Sequence, residues 1–191
     1  MLSNPKARAS MRNEWLGLHK QDVFDFSVIG EYYDAKQEAL TLKQAVHFAR
    51  VHGIIVEKNC QLPESDGRRK FKGRGVLLGN KVKNQNWEAA FFQDLGNSPA
   101  SFESSIWEDF YGCIPGHSVN LADAIQAYIQ AHLTGPPCWV ELPSDAWPDG
   151  VDVSKYQRPV VRLRKALHGH PDAGAMWDPE TLRYAGPPIW I

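Results

Sequence analysis

The sequence predicts an α+β chain, a globular unit over residues 1–177 followed by a tail over 178–191. Two observations carry this expectation. The 191 residues, 43% apolar and 23% charged, suit one domain or one domain plus a tail and can bury a sizeable core. Segments of helical period are also interleaved with short apolar or alternating runs bounded by Gly and Pro.

Pro5 to about Lys20 reads as a helix, with Ala9, Met11, Trp15, Leu16 and Leu18 as its apolar face. Val23 to Ile29 has strand character. Asp34 is expected to cap a long helix running to about His52, with Leu40, Leu42, Ala45, Val46 and Ala49 inward and Gly53 as its stop. Ile54–Ile55–Val56 and Phe71–Leu78 read as strands. With the turn residues Asn59 to Gly67 between them, 54–58 and 69–78 suggest a hairpin. Asn80 to Ser98 is polar and irregular apart from Trp87 to Phe92. Pro99 to Tyr111 is expected to be helical, with Phe102, Ile106 and Phe110 four apart. Val119 to Asp123 reads as a strand ending in an acid, and Ala124 to Leu133 as a helix stopped by Gly135–Pro136–Pro137. Cys138 to Leu142 and Val160 to Lys165 read as strands, with Ser144 to Tyr156 as the loop between them. Pro171 to Trp177 opens a helix. Residues 178–191, with two consecutive prolines, are expected to form a disordered tail.

Charge is unevenly placed. Residues 68–83, RRKFKGRGVLLGNKVK, hold seven cations and no acid, and residues 155–165, KYQRPVVRLRK, hold five cations and no acid. Together they take 12 of the 21 cations in a chain of net charge −1. Two such segments in an otherwise acidic chain suggest a polyanion surface, and solvated strand faces would give the same pattern. The net charge argues against a uniformly basic tail protein. Cys60, Cys113 and Cys138 are far apart and form no CxxC, which fits the reduced interior of a cell, cytoplasm or nucleus, better than a disulfide framework or zinc ribbon. No apolar run approaches the roughly 18 residues of a membrane helix, and no membrane partner is expected.

Taken in order, RRKFKGRGVLLGN, FQDLGNSPASFES, VNLADAIQAYIQAHLTGPPCWVELP and RPVVRLRKALHGHPDAGAMW resemble the reverse transcriptase of copia-type retrotransposon polyproteins. That family is patterned YKARLVAKG, FSPVA, MDVKTAFLNG, VYMxQPPG and KLxKSLYGLKQAPRAW. The corresponding pieces here are Phe71–Gly79, Gln93–Ala100, Ala122–Ala131, Cys138–Pro143 and Arg162–Trp177, and the match covers roughly residues 6–177. It implies the fingers and partial palm of an RNA-directed DNA polymerase, with helices packed on an incomplete antiparallel sheet. Implied partners are an RNA or DNA primer–template and deoxynucleotides.

Nucleotide addition is an in-line displacement at phosphorus clamped by two divalent cations, which take carboxylate ligands. The resemblance implies Asp123 as the first metal and catalytic carboxylate, with Mg²⁺ as cofactor. Read alone, the same position suits a helix N-cap. Tyr128 matches an aromatic that packs under the incoming sugar, and a core tyrosine is the plainer reading. Arg74 and Lys72 match the family's KARLV cations, which grip triphosphate oxygens; a solvated basic strand is the alternative. Gly169 matches the LYG glycine, where a template–nucleotide pair approaches the backbone, and a simple turn needs glycine equally. Arg68, Arg69, Lys81, Lys83, Arg162 and Arg164 are candidate nucleic-acid contacts that position a backbone without reading sequence. His168 and His170 stand at HxH spacing, where surface imidazoles are the default over a metal pair.

The chain departs from the pattern in two ways. LYGLKQAPRAW is altered to LHGHPDAGAMW, so that His168 replaces Tyr, Pro171 Lys and Asp172 Gln. The family's YVDD hairpin lies further downstream, and this sequence contains no Asp–Asp pair. The expectation is a truncated polymerase, inactive alone. The alternatives are a non-catalytic nucleic-acid-binding remnant or a fragment that completes a polymerase partner chain in trans.

Overall fold

The computed structural model describes residues 4–92, 101–119 and 124–177. Its first helix, α1 (Pro5–Lys20), starts where Asn4 accepts hydrogen bonds from the Lys6 and Ala7 amides and Pro5 supplies the first turn. Ala7, Met11, Trp15 and Leu18 form its buried face. Then follow β1 (Phe24–Glu31), α2 (Tyr32–Thr41), β2 (His47–Lys58), β3 (Lys70–Leu77) and the short β4 (Lys83–Asn84). Helix α3 (Phe102–Gly112), β5 (Cys138–Glu141) and β6 (Pro159–Leu163) complete the regular elements, and residues 173–177 are helical.

The fold is mixed α+β around one sheet ordered β1-β6-β5-β2-β3, with β4 pairing the start of β2. The expected all-antiparallel sheet is corrected. β2 pairs β5 in parallel, His47 opposite Cys138 through Arg50 opposite Glu141, while the other pairings are antiparallel. A parallel pair joins segments remote in sequence, so local patterning gives no sign of it.

α1 covers one sheet face, burying Met11, Trp15 and Leu18 with Val51, Leu77, Val140, Val161 and Leu163. α2 covers part of the other, packing Tyr32, Ala35 and Ala39 against Phe48 and Val160. Glycines set how closely α1 approaches the hairpin. A Cβ at Gly73 would lie 2.8 Å from the Met11 Cα, and one at Gly75 would lie 2.7 Å from the Trp15 ring. α1 also closes the free edge of β3. Ser10 Oγ donates to the Phe71 carbonyl at 3.0 Å and accepts from the Gly73 amide at 2.8 Å, and the Gly75 amide donates to Glu14 at 3.2 Å. An edge engaged this way offers fewer amides to template another strand.

The hairpin is as expected, with Lys58 opposite Lys70 through Val51 opposite Leu77. The long helix from Asp34 to His52 is corrected: α2 ends at Thr41 and 47–58 is strand. Leu40 and Leu42 are exposed, and Asp34 lies in the first turn rather than at the cap. Gly53 stops no helix; it sits mid-strand, because a Cβ there would lie 2.7 Å from the Met11 sulfur. The helix expected over 124–133 is corrected to a turn and one 3₁₀ turn, Ala127–Gln130, entered through Gln126 in the left-handed region. The chain then pairs as a strand would: Leu133 donates to the Arg164 carbonyl at 2.9 Å and Ala166 to that of Ala131 at 3.0 Å. α3 forms as expected, yet Phe102, Ile106, Trp107 and Phe110 are all exposed. Cys138 is buried, which pushes its thiol up to about 12, while Cys60 and Cys113 are exposed; all three thiols are free. Among the described residues no helix is long and apolar enough to cross a membrane.

A candidate phosphate site at the basic hairpin

Strand alternation places Gly73, Gly75 and Leu77 under α1 and turns Lys72, Arg74 and Val76 to the opposite face. There Lys72 lies beside Val56 and Arg74 beside Ile54, both of these apolar side chains being exposed. Among the described residues the ion pairs engage Arg12, Arg50, Arg68, Arg69, Arg158 and Arg164; none engages Lys72 or Arg74.

The 168–170 turn packs against the root of β3. The Leu77 amide donates to the His168 carbonyl at 2.8 Å. Gly169 has φ +86°, and a Cβ on it would lie 2.1 Å from the Leu77 oxygen; one on Gly79 would lie 2.1 Å from the Gly169 oxygen. The chain's own backbone therefore requires glycine at 169, as the simple-turn alternative holds. This turn brings His168 to the basic strand. Its ring meets the Tyr128 ring edge-on, with centroids 5.0 Å apart. Burial first, then Arg74 and more weakly Lys72, hold His168 below the ordinary imidazole range, against the opposing charge of Glu14. The imidazole thus lies against an aromatic ring and within the field of two cations that no ion pair of the described residues engages.

Tyr128 thus meets His168, the chain neighbour of Gly169, and the charges of Arg74 and Lys72 reach that imidazole from the basic strand. The remaining candidates are dispersed. At the hairpin tip Arg68 is paired with Asp66 at 2.8 Å and Arg69 with Glu57 at 2.6 Å. On the β6 side Arg164 is held by Asp25 at 3.0 Å, and Arg162 lies over the Trp139 ring at 5.9 Å. Lys81 and Lys83 line a separate cavity. Three of these six cations are already paired with carboxylates, so the set does not make one continuous polyanion track.

Asp123 lies outside the described residues. Among those described, no three His, Cys, Asp or Glu side chains gather as a metal site requires. Glu14, whose charge reaches His168, is bonded to the Gly75 amide. No metal-dependent step is derived from these residues. The HxH pair splits: His168 joins the basic cluster, while His170 is buried beside Phe92 with Asp172 donating its amide to Nδ1 at 3.2 Å. Burial, then the charge of nearby His47, lowers His170 to about 4.

Sequence reasoning missed Ser10 and Glu14, which hold the strand presenting Lys72 and Arg74. Their spacing of one helical turn is the available signal. No protein-family model, curated protein or solved structure matches the chain.

Proposed function

We propose that this chain is the fingers and partial palm of a copia-type reverse transcriptase, and that it binds the triphosphate of a deoxynucleotide at the hairpin cluster. The observation that carries the reading is that the 168–170 turn docks on the strand bearing Lys72 and Arg74 and sets His168 edge-on to Tyr128. Lys72 and Arg74 supply charge that no ion pair of the described residues engages. Arg74 adds the planar fork that suits phosphate oxygens. Tyr128 offers an aromatic wall to the sugar. Catalysis requires Mg²⁺ on Asp123 and further carboxylates, and the sequence holds no Asp–Asp pair to supply them. In this reading the chain binds substrate and does not turn it over unless a partner polymerase chain completes the palm.

The test has two arms. Binding of dTTP in EDTA, followed by the His168 ring resonance, should weaken about tenfold or more in Lys72→Gln/Arg74→Gln. Primer extension on a primed RNA template with Mg²⁺ should give no incorporation from this chain, matching Asp123→Ala. Saturable binding without incorporation supports the proposal. Incorporation that Asp123→Ala abolishes would show a complete active site and overturn the inactive part of it. Undetectable dTTP binding overturns it entirely.

A further inference from the structure

A second polar site lies at the root of β2, on the sheet face that carries α2. A cavity of about 360 Å³ opens there, a size within the range of small-ligand sites. Arg50, Lys81, Lys83 and Arg158 line it with a single carboxylate, Glu141. That carboxylate is shared by Arg50, at 3.2 Å, and Arg158. No ion pair of the described residues engages Lys81 or Lys83. The cavity therefore carries excess positive charge.

Its other feature is aromatic. Arg158 stacks on the buried Tyr32 ring at 3.9 Å, and Trp87 stands beside Tyr32 with ring centroids 6.0 Å apart. Trp87 is 47% exposed and adopts φ +69°, a conformation that bulky side chains rarely take. The turn that imposes it is fixed by Asn84, whose side-chain oxygen accepts from the Asn86 amide at 2.9 Å and the Glu88 amide at 3.0 Å. Backbone strain of this kind persists where the surroundings hold a side chain in place. Here it holds an indole at the mouth of a cationic cavity. Lys36 adds a further cation 5.4 Å from that ring.

We propose that this cavity binds one nucleotide unit, the base against Trp87 and the phosphate between Lys81 and Lys83. Excess positive charge beside an exposed aromatic face is the combination that single-stranded nucleic-acid sites use. The unit comes either from a free nucleotide or from one position of a single strand. The inference rests on the proposed function for its ligand class and deepens it, placing a nucleic-acid contact apart from the triphosphate cluster.

The experiment measures binding of AMP and of a fluorescein-labelled twelve-residue oligothymidylate to the whole chain, in EDTA, over a range of salt. Lys81→Gln/Lys83→Gln should weaken oligomer binding about tenfold and reduce the dependence of log K on log salt by roughly 0.7, the share of one phosphate on a single strand. Trp87→Ala should weaken it about tenfold, and Trp87→Phe should restore most of the loss. Displacement of the oligomer by AMP assigns the site to free nucleotides; oligomer binding without AMP binding assigns it to a strand, and both support the proposal. Wild-type affinity in both the lysine and the Trp87→Ala variants overturns it, as does an absence of binding to either probe. Lys72→Gln/Arg74→Gln separates the two readings. If that variant keeps dTTP affinity while the Lys81/Lys83 effect stands, the triphosphate proposal fails and this one survives; the reverse pattern sinks this one alone.

Discussion

In the segment 155–165, Arg158 is paired with Glu141 and stacked on Tyr32, Arg164 is held by Asp25, Arg162 lies over Trp139 and Lys155 over Tyr156, and only Lys165 has none of these contacts among the described residues. In the segment 68–83 only the two tip arginines are paired, and Lys70, Lys72, Arg74, Lys81 and Lys83 have no carboxylate partner in an ion pair of the described residues. As sequence the two segments are equivalent: cation-rich, acid-free and strand-forming. Folding separates them. The second runs along β6 inside the sheet, where neighbouring strands bring Glu141 and Asp25 to it. The first lies on β3 at the sheet edge and in the following loop, where ion pairs of the described residues reach only the tip arginines. Local cation density therefore locates a polyanion surface only when the fold leaves the charges unspent.

The largest expected effect breaks the root of the first segment. Gly169→Ala places a Cβ 2.1 Å from the Leu77 oxygen on a backbone with φ +86°, and should cost more than about 3 kcal/mol. Thermal unfolding should show a large drop in midpoint or no cooperative transition. Should Gly169→Ala melt normally, the docking of the turn on β3 would be wrong, and with it the placement of His168.

Next comes acid. His170, just beyond the second segment, has its folded pKa depressed from 6.5 to about 4, so the unfolded chain binds the extra proton between those values. The stability this imidazole contributes is present above pH 6.5 and is lost as pH falls toward 4, roughly 3 kcal/mol across that window. Urea denaturation at pH 7 and pH 4.5 should show the loss, and His170→Gln should reduce it. An unchanged midpoint in the wild type between those pH values would contradict the burial of His170.

The comparison itself is sharpened by paired substitutions. Arg158→Gln leaves the partly buried Glu141 with Arg50 alone and removes the stacking on Tyr32, and should cost about 2 kcal/mol. Arg74→Gln breaks no ion pair and should stay within about 0.5 kcal/mol in stability, while weakening dTTP binding. Equal destabilisation by both would erase the distinction between spent and unspent cations. The smallest effect is on His168. Its ring is held down in part by Arg74 and Lys72, so a bound triphosphate, which offsets their charge, should raise its pKa, and an NMR titration reads the direction.

Much of this was legible in the residues, and the exceptions share a cause. The hairpin was visible because turn residues separate two runs of strand character, and α1 because Met11, Trp15 and Leu18 recur at helical spacing. The first half of β2, 47–53, is hidden because Val46 and Ala49 also fit a helical period, whereas 54–58 reads as strand. It is the pairing of His47 to Arg50 with Cys138 to Glu141 that decides for strand, and nothing local announces it. Residues 124–133 have a helical period in sequence, and the main-chain bonds that oppose a helix there run to the distant Arg164 and Ala166. In the candidate site, Lys72 and Arg74 were readable from charge, and Tyr128 and Gly169 only through the family resemblance. The approach of His168 to the basic strand depends on the crossing of two backbones at Gly79 and Gly169, which only a three-dimensional fold can show.

The most direct measurement follows the His168 ring resonance while dTTP is added in EDTA to the wild-type chain and to Lys72→Gln/Arg74→Gln. Saturable perturbation with an upward pKa shift in the wild type, weakened about tenfold in the double variant, is the result the hairpin cluster predicts. A His168 resonance that ignores dTTP, or responds equally in both proteins, would contradict the assignment of this face as a phosphate site.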